Sequence, residues 1–232
     1  YFTMNYNDSE IKKFNDLAQT WWDPKGASRP LHIINPCRFE FIKKHTALKG
    51  KRILDIGCGG GILAEVLSKN GAEVTGIDMA TDVLQIAKEH AHAAELIIDY
   101  QETTTEEIAK KYVNYFDIIT CMELLEHIPD VDSLMKSCSQ LIKPGGSLFF
   151  STLNRTPQSF FFAVLGAEYI LNLIPRGTHT YSQFIRPSEL QNFAQQHQLS
   201  LCNLAGVHYN PLMSQASLSN NLNINYLAHF KK

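Results

Sequence analysis

The chain has 232 residues, of which 44% are hydrophobic, and its 21 Lys and Arg against 23 Asp and Glu give a net charge of -2. This length and apolar content suit a single domain over residues 1–232 with a sizeable core. The near-neutral charge gives no electrostatic indication of nucleic-acid binding, so a nucleic-acid partner is disfavoured.

Two helices are predicted at the start of the chain. Apolar residues recur at helical spacing from Ile11 to Trp21, behind a polar cluster at positions 7–9, and Asp23-Pro24 ends the pattern. A second apolar-rich helix is predicted from about Asn35 to His45. We expect these helices to form a cap over about residues 8–46 that packs near the mouth of the site described next.

A glycine-rich segment follows this cap. An apolar strand, Arg52–Ile56, runs directly into Gly57 and Gly59, and Ile62–Lys69 then has helical periodicity. Glycine lets the backbone approach a ligand closely, and the order is that of the first βα unit of a Rossmann-like fold. A tight turn of this kind also occurs for structural reasons alone, but its place between a strand and a helix favours a cofactor site.

The glycine pattern distinguishes between cofactors. A dinucleotide-binding turn has glycine or alanine at its sixth position, where this chain has Ile62. Asp55, two residues before the first glycine, would repel a pyrophosphate but can pair with an ammonium group. The next strand, Glu73–Ile77, ends in Asp78, at the distance expected of an acid that accepts ribose hydroxyls. These features favour S-adenosylmethionine, and an NAD-dependent oxidoreductase is the rival interpretation.

Strands and helices continue to alternate after Asp78. The apolar runs Tyr115–Met122 and Leu148–Ser151 are typical of central parallel strands, and two late strands predict an antiparallel hairpin at the sheet edge. The predicted fold class is α/β, Rossmann-like and doubly wound, with a mostly parallel seven-stranded sheet, a C-terminal antiparallel hairpin and N-terminal helices. The other predicted elements are helices Thr81–His92 and Thr103–Lys111, a helix beginning at Arg186, and strands Glu95–Tyr100, Leu199–Val207 and Ile224–Phe230.

The cysteines and the first residues indicate the compartment. Five cysteines, an odd number without a Cys-x-x-Cys pair, predict free thiols rather than a disulfide framework. Asp8 and Glu10 stand early in the chain, and no long apolar run follows them, so this segment resembles neither a signal nor a transit peptide. We therefore expect a cytoplasmic protein.

Six short motifs are spread along the whole chain. They are Trp21-Trp22-Asp23, Leu31-His32-x-x-Asn35-Pro36, Asp55-Ile56-Gly57-Cys58-Gly59-Gly60-Gly61, Cys121-Met122-Glu123-Leu124-Leu125-Glu126-His127, Gly166-Ala167-Glu168-Tyr169 and His208-Tyr209-Asn210-Pro211. Together they resemble the ubiquinone-biosynthesis O-methyltransferases, a family of class I S-adenosylmethionine-dependent methyltransferases. The resemblance implies polyprenylated phenol substrates, namely 2-polyprenyl-6-hydroxyphenol and 3-demethylubiquinol. It leaves open another small phenolic acceptor and assembly into a ubiquinone-biosynthesis complex.

The same resemblance implies four residues that bind S-adenosylmethionine. Gly57 and Asp78 agree with the interpretation of the glycine turn, whereas Arg38 and Met122 rest on the resemblance. From the residues alone, Arg38 could be a snorkelling surface residue and Met122 a core residue that ends its strand. The predicted cofactor residues are Arg38, Asp55, Gly57, Gly59, Asp78 and Met122.

Three potential metal ligands follow the strand that ends at Met122. Glu123, Glu126 and His127 stand at i, i+3 and i+4, so a helix here would place all three on one face. Their donor set suits magnesium, manganese, cobalt or zinc, and the alternative is a solvated acidic face without a metal. The resemblance implies magnesium, which would favour ionisation of a catechol hydroxyl and direct its oxygens. No general base is assigned.

An apolar segment, Phe160–Ile174, lies within a predicted insertion over about residues 156–186. The segment is too short and too interrupted to span a bilayer. As an interfacial helix it could contact anionic membrane lipid and admit a polyprenyl tail, with Arg176 facing the headgroups; the alternative is a helix buried over the sheet. A carrier module without catalysis would keep the glycine turn and have no use for the metal ligands.

Overall fold

The structure is a computed structural model that describes residues 5–161, 181–210 and 213–232. Within these residues the chain forms one eight-stranded sheet. The helices are α1 (Asp8–Asp16), α2 (Arg29–His45), α3 (Ile62–Lys69), α4 (Thr81–Ala93), α5 (Thr105–Ala109), α6 (Val131–Leu141), α7 (Pro157–Ser159) and α8 (Pro187–Gln196). The strands are β1 (Arg52–Ile56), β2 (Glu73–Asp78), β3 (Ile98–Glu102), β4 (Phe116–Met122), β5 (Ile142–Leu153), β6 (Ser200–Asn210), β7 (Gln215–Ser219) and β8 (Asn225–Lys231). Short 3₁₀ turns lie at Ala18–Thr20, Leu125–His127 and Tyr181–Gln183.

The strand order places the candidate site at one edge of the sheet. The order is β3-β2-β1-β4-β5-β8-β6-β7, and the first five strands pair in parallel. β8 is antiparallel to β5, and β6 is antiparallel to β8. The order reverses direction between β1 and β4, and ligands of such sheets bind at that point, beyond the carboxyl ends of the strands. The glycine turn after β1 and the acidic residues after β4 therefore lie at the same edge.

Alternate residues of the central strands face two apolar clusters. Ile119 and Phe150 pack in the cluster that also contains side chains of α5, α6 and α8. Ile118 and Phe149 pack in the cluster that contains side chains of α2, α3 and α4. Burial on both faces explains why β4 and the end of β5 are almost continuously apolar in the sequence. The predicted doubly wound fold class is confirmed.

The helical cap begins differently from the prediction. The first amphipathic stretch divides into α1, which ends at Asp16, and a 3₁₀ turn at Ala18–Thr20. α2 begins at Arg29 rather than near Asn35, because Pro30 lies in its first turn, where a missing N–H is tolerated. Pro36 then lies inside the helix.

Two strands also differ from the prediction. β5 begins at Ile142, six residues before the predicted run Leu148–Ser151, and its register against β4 shifts between Phe116 and Ile118. Pro144, Gly145 and Gly146 therefore lie within the strand. The loop between the last two predicted strands contains β7, an eighth strand that pairs with β6. β7 alternates polar and apolar residues, but it is only five residues long and its apolar positions are Ala216 and Leu218, so the signal in the sequence is weak.

The predictions for the cysteines and for the apolar insertion have different outcomes. The cysteines are free, as predicted, with Cys202 exposed and four others buried. The segment Phe160–Ile174 lies almost entirely outside the described residues, so both interpretations of it stay predictions. In the part of the chain that the structure describes, no helix combines the length and apolarity needed to cross a bilayer. The buried thiols are Cys37, Cys58, Cys121 and Cys138.

Candidate functional site

The glycine turn joins β1 to α3 and is fixed by β2. The N–H groups of Gly57 and Cys58 both donate to the carbonyl oxygen of Ile77, at 2.8 and 3.1 Å. Gly57, Gly59 and Gly61 have φ of 65°, 52° and 86°, the left-handed region that glycine adopts at little cost. The turn therefore needs glycine at these three positions.

Asp78 ends β2 and is bonded directly to the glycine turn. One carboxylate oxygen accepts from the N–H of Gly59 at 2.9 Å, and the other accepts from the N–H of Ala80 at 2.8 Å. Gly57 and Asp78 both line a cleft whose opposite wall is formed by side chains of α1. Burial raises the pKa of Asp78 despite these hydrogen bonds. The predicted ribose acid thus stands at the cleft, beside the turn.

Asp55 lies within β1 rather than in the turn, and it is 3% exposed. The hydroxyl of Thr120 donates to its carboxylate at 2.6 Å. Burial raises the pKa of Asp55 to about 7, against the opposing effects of this hydrogen bond and of the positive charge of Arg38. Its predicted pairing with an ammonium group stays a prediction.

The sequence left open whether Arg38 lies at the surface and whether Met122 belongs to the core. Arg38 is 6% exposed, so it is not a snorkelling surface residue, and its Nη2 lies 3.4 Å from Oε1 of Glu123. Among the described residues, its Nε and Nη2 find no hydrogen-bond acceptor. Buried donors without acceptors are costly, and a guanidinium suits a carboxylate ligand. Met122 packs among apolar side chains, which agrees with the core interpretation, and its predicted contact with the cofactor stays a prediction.

The three predicted metal ligands do not share a helical face. One 3₁₀ turn, Leu125–His127, forms here, and Glu123 precedes it with φ of 51°. Glu123 accepts from the Ser151 hydroxyl at 2.7 Å, and Oε2 of Glu126 accepts from the Thr152 hydroxyl at 2.7 Å. Within the described ranges, no group of three or more His, Cys, Asp and Glu residues is arranged to hold a metal ion.

The surroundings of Glu126 and His127 shift the pKa values of both side chains. Glu126 is 2% exposed, and within the described residues its Oε1 has no hydrogen-bond partner. Burial, and then the charge of Glu123, raise the pKa of Glu126. Burial lowers the pKa of His127, but the 2.9 Å hydrogen bond to Glu10 and the charge of Glu126 outweigh it, so this pKa is raised. The same bond lowers the pKa of Glu10 to about 2.

Sequence reasoning missed the partners that the helical cap supplies. Glu10 bonds to His127 across the cleft, and the ring of Phe14 lies 5.2 Å from the His127 ring, edge to face. The indole N–H of Trp22 donates to the carbonyl oxygen of Gly60 at 2.9 Å. Helical periodicity predicted that the cap exists, but it does not say which distant residue each side chain meets. The Trp-Trp-Asp motif was the one available signal for this segment.

The residues present fit S-adenosylmethionine. The glycine turn lets the ligand approach the backbone closely, and the Asp78 carboxylate at the cleft can accept hydrogen bonds from hydroxyl groups. Arg38 has buried donors that can bind a carboxylate. On a Rossmann-like sheet with this switch point, these features define an S-adenosylmethionine-dependent methyltransferase.

Comparison with known proteins gives the family. Residues 11–204 match the family model described as a methyltransferase domain. The chain is 51% identical over 227 residues to the ubiquinone biosynthesis O-methyltransferase of Coxiella burnetii, a match that covers 98% of this chain and 97% of that protein. It is 51% identical over 229 residues to the protein of the same description in Nitrosococcus oceani, covering 99% and 97%. The chain therefore belongs to the ubiquinone biosynthesis O-methyltransferase family.

Solved structures agree on the fold. Magnesium protoporphyrin IX methyltransferase from Synechocystis PCC 6803, with bound S-adenosylmethionine, has a TM-score of 0.67 at 13% identity, covering 99% of this chain and 100% of that one. An S-adenosylmethionine-dependent methyltransferase from Methanosarcina mazei has a TM-score of 0.64 at 16% identity, covering 83% and 96%. At these identities the likeness concerns the fold alone.

Proposed function

We propose that this chain methylates phenolic hydroxyls of polyprenylated ubiquinone precursors, 2-polyprenyl-6-hydroxyphenol and 3-demethylubiquinol. The description of its relatives supports this acceptor class. The observation that carries the proposal is a buried carboxylate in the segment that follows β4: Oε1 of Glu126 has no hydrogen-bond partner among the described residues. This segment adjoins the cofactor residues, since Glu123 is 3.4 Å from Arg38 and a Cβ added at Gly57 would lie 3.0 Å from the Leu124 side chain.

Each residue then has a distinct task. S-adenosylmethionine, when bound, supplies an electrophilic methyl group on a sulfonium. Asp78 accepts the ribose hydroxyls, and Arg38 donates to the carboxylate, so together they orient the donor. Oε1 of Glu126 accepts a hydrogen bond from the acceptor hydroxyl, which raises the electron density on the attacking oxygen. The hydroxyl oxygen bonds to the methyl carbon as the carbon–sulfur bond breaks, with S-adenosylhomocysteine as the leaving group and the Glu126 carboxylate as the acceptor of the hydroxyl proton, so no covalent enzyme intermediate is needed.

A divalent cation, magnesium first, remains part of the proposal through the family resemblance. Glu123, Glu126 and His127 do not fit one common ion as they are arranged, since each bonds to a different protein partner. No step above depends on a cation. The chelator arm of the methyl-transfer assay tests whether a cation takes part in the reaction.

Peripheral contact with anionic lipid and assembly with other enzymes of the same synthesis complete the proposal. The lipid contact is supported by the sequence, since Phe160–Ile174 is apolar and the proposed substrates carry polyprenyl tails. The assembly is supported by the family resemblance alone. Sedimentation with anionic liposomes tests the lipid contact. Charged substitutions in this segment should abolish co-sedimentation, and unchanged binding would remove the lipid contact from the proposal.

The decisive assay is methyl transfer to a short-chain demethylubiquinol analogue, with and without chelator. We expect methylated product from the wild-type chain, and loss of product with EDTA and recovery with magnesium if a cation takes part. Undiminished methyl transfer in EDTA would show that no cation takes part in the reaction. Absence of transfer to any phenolic acceptor, with S-adenosylmethionine bound, would overturn the proposed acceptor class.

A further inference from the structure

The Trp21-Trp22-Asp23 motif has no task in the proposed reaction, yet its tryptophans contact the glycine turn. The indole of Trp21 covers the turn so closely that a Cβ at Gly59 or Gly60 would overlap it. The Nε1–H of Trp22 donates to the carbonyl oxygen of Gly60 at 2.9 Å. The outer side of the turn is thus held by the helical cap, whereas its inner side is held by β2.

The hydrogen bond from Trp22 fixes one peptide unit of the turn. The Gly60 carbonyl and the Gly61 N–H belong to the same planar peptide, and that N–H donates to the carbonyl oxygen of Cys58 at 3.0 Å. Both ends of the plane are therefore bonded. Without the outer bond, the consecutive glycines would have wide backbone freedom, and ligand binding would have to order them at an entropic cost.

Trp22 is itself held by a chain of contacts that returns to the turn. Its ring stacks on His90 of α4, with ring centroids 3.5 Å apart and planes 3° from parallel. Nδ1 of His90 lies 2.5 Å from Oε1 of Glu65, a carboxylate in the first turn of α3 that is 1% exposed. The backbone N–H of Glu65 donates to the Gly61 carbonyl at 2.9 Å. The contacts therefore close a ring that begins and ends at neighbouring glycines.

The buried acceptor oxygen of Glu65 orients the other side chains of this ring. A buried carboxylate is retained when its oxygens are partnered, and here Oε1 is bonded to His90 while Oε2 lies 3.1 Å from Nζ of Lys69. Lys69 is half exposed, so the pair with His90 is the better shielded of the two. Glu65 thereby sets the orientation of His90, and His90 sets the plane of the Trp22 indole.

We propose that Trp22, His90 and Glu65 are positioning residues that preorganise the glycine turn for S-adenosylmethionine. None of them needs to touch the cofactor. They act by holding the Gly60–Gly61 peptide in the conformation that the bound state uses. The inference rests on the proposed cofactor site and adds to it the residues that set its affinity.

The test measures the affinity for S-adenosylhomocysteine by isothermal titration calorimetry. Trp22→Phe keeps a ring that can stack on His90 and removes the N–H donor to Gly60. We expect its Kd to rise about fivefold, the effect of one net hydrogen bond, while kcat at saturating S-adenosylmethionine changes by less than about twofold. The thermal midpoint of the ligand-free chain is measured alongside, because a purely structural role would lower that midpoint and leave Kd unchanged.

Glu65 supplies a conservative pair and a control. Glu65→Gln retains an acceptor for His90 and should bind with a Kd within about twofold of wild type, whereas Glu65→Met should resemble Trp22→Phe. Lys69→Met removes the exposed ion pair alone and should leave the affinity unchanged.

Wild-type affinity in both Trp22→Phe and Glu65→Met would overturn the inference and leave the cofactor site intact. Failure of the wild-type chain to bind S-adenosylhomocysteine would overturn the cofactor site, and this inference with it.

Discussion

The glycine turn and the acidic segment after β4 lie at the same sheet edge, yet their polar groups are partnered very differently. In the turn, the N–H groups of Gly57, Gly59 and Gly61 and the carbonyl of Gly60 all have protein partners. In the acidic segment, Glu126 has a buried oxygen without one among the described residues, and Glu123 has a positive φ. The glycine turn, which we call the cofactor half, is therefore preorganised, whereas the acidic segment, the acceptor half, is left incomplete. Arg38, which contacts Glu123, also has buried donors without acceptors among the described residues.

This difference indicates where the free energy of ligand binding is needed. A turn whose hydrogen bonds already exist loses little entropy when the cofactor arrives. A buried carboxylate oxygen without a partner costs free energy until a ligand donates to it. The two halves should therefore respond differently to substitution, with stability and cofactor affinity sensitive in the first and turnover sensitive in the second.

The largest effect should come from Gly61→Ala. A Cβ here would overlap the Tyr100 hydroxyl, and φ of 86° is unfavourable for alanine. We expect a loss of about 3 kcal/mol or more in the free energy of unfolding, measured by urea denaturation. Gly145→Ala is the matched control, since its φ is 75° and no atom of the described residues lies within 4 Å of the added Cβ. It should lose about 1 kcal/mol, and equal losses in both variants would show that packing against the turn is unimportant.

Glu126→Gln tests the acceptor half. The amide can still accept from Thr152 but provides no carboxylate for the acceptor hydroxyl. We expect kcat for the demethylubiquinol analogue to fall about 100-fold while the Kd for S-adenosylhomocysteine stays unchanged. Glu107→Gln, at an exposed glutamate paired with Lys110, is the control and should leave both values unaltered. A weakened cofactor affinity in Glu126→Gln would contradict the division between the halves.

Asp55→Asn tests the cofactor half through the pH dependence of the free energy of unfolding. The pKa of Asp55 rises from 3.8 to about 7 on folding, so the folded chain binds the extra proton and stability falls as the pH rises between these values. Asparagine has no such penalty and can still accept from Thr120. The ligand-free variant should therefore be more stable than wild type by at least about 2 kcal/mol at about pH 8 and differ from it by less than about 1 kcal/mol near pH 4. A stability difference that does not change with pH would show that Asp55 is not the titrating group.

The smallest effect concerns the contact between the cap and the acidic segment. The pKa of Glu10 falls from 4.5 to about 2, so its stabilising contribution is complete above about pH 4.5 and is lost below that value. The pKa of His127 is raised above 6.5, so its contribution is complete below about pH 6.5 and is lost as the pH rises through the raised value.

Glu10→Gln should therefore destabilise the chain most between about pH 4.5 and 6.5, by about 1 kcal/mol, as thermal unfolding across pH would show. The same loss at about pH 9 would mean that the charged pair contributes nothing.

The sequence predicted the cofactor half much better than the acceptor half. Gly57 and Asp78 lie where the pattern placed them, because a strand, a glycine turn and the next strand are local in sequence and pack in one known way. A helix would place Glu123, Glu126 and His127 on one face, but the contacts of these side chains are set by residues distant in the chain. Hydrogen bonds from Thr152 and to Glu10 span 26 and 117 positions. Spacing alone carries no information on such partners.

The most direct test of the central claim is the affinity of wild type and Asp78→Asn for S-adenosylhomocysteine, measured by titration calorimetry with NAD as a second ligand. We predict that wild type binds S-adenosylhomocysteine and not NAD, and that Asp78→Asn binds at least about tenfold more weakly, since the carboxylate beside the glycine turn is lost. Equal affinities in the two chains, or binding of NAD in preference, would contradict the account.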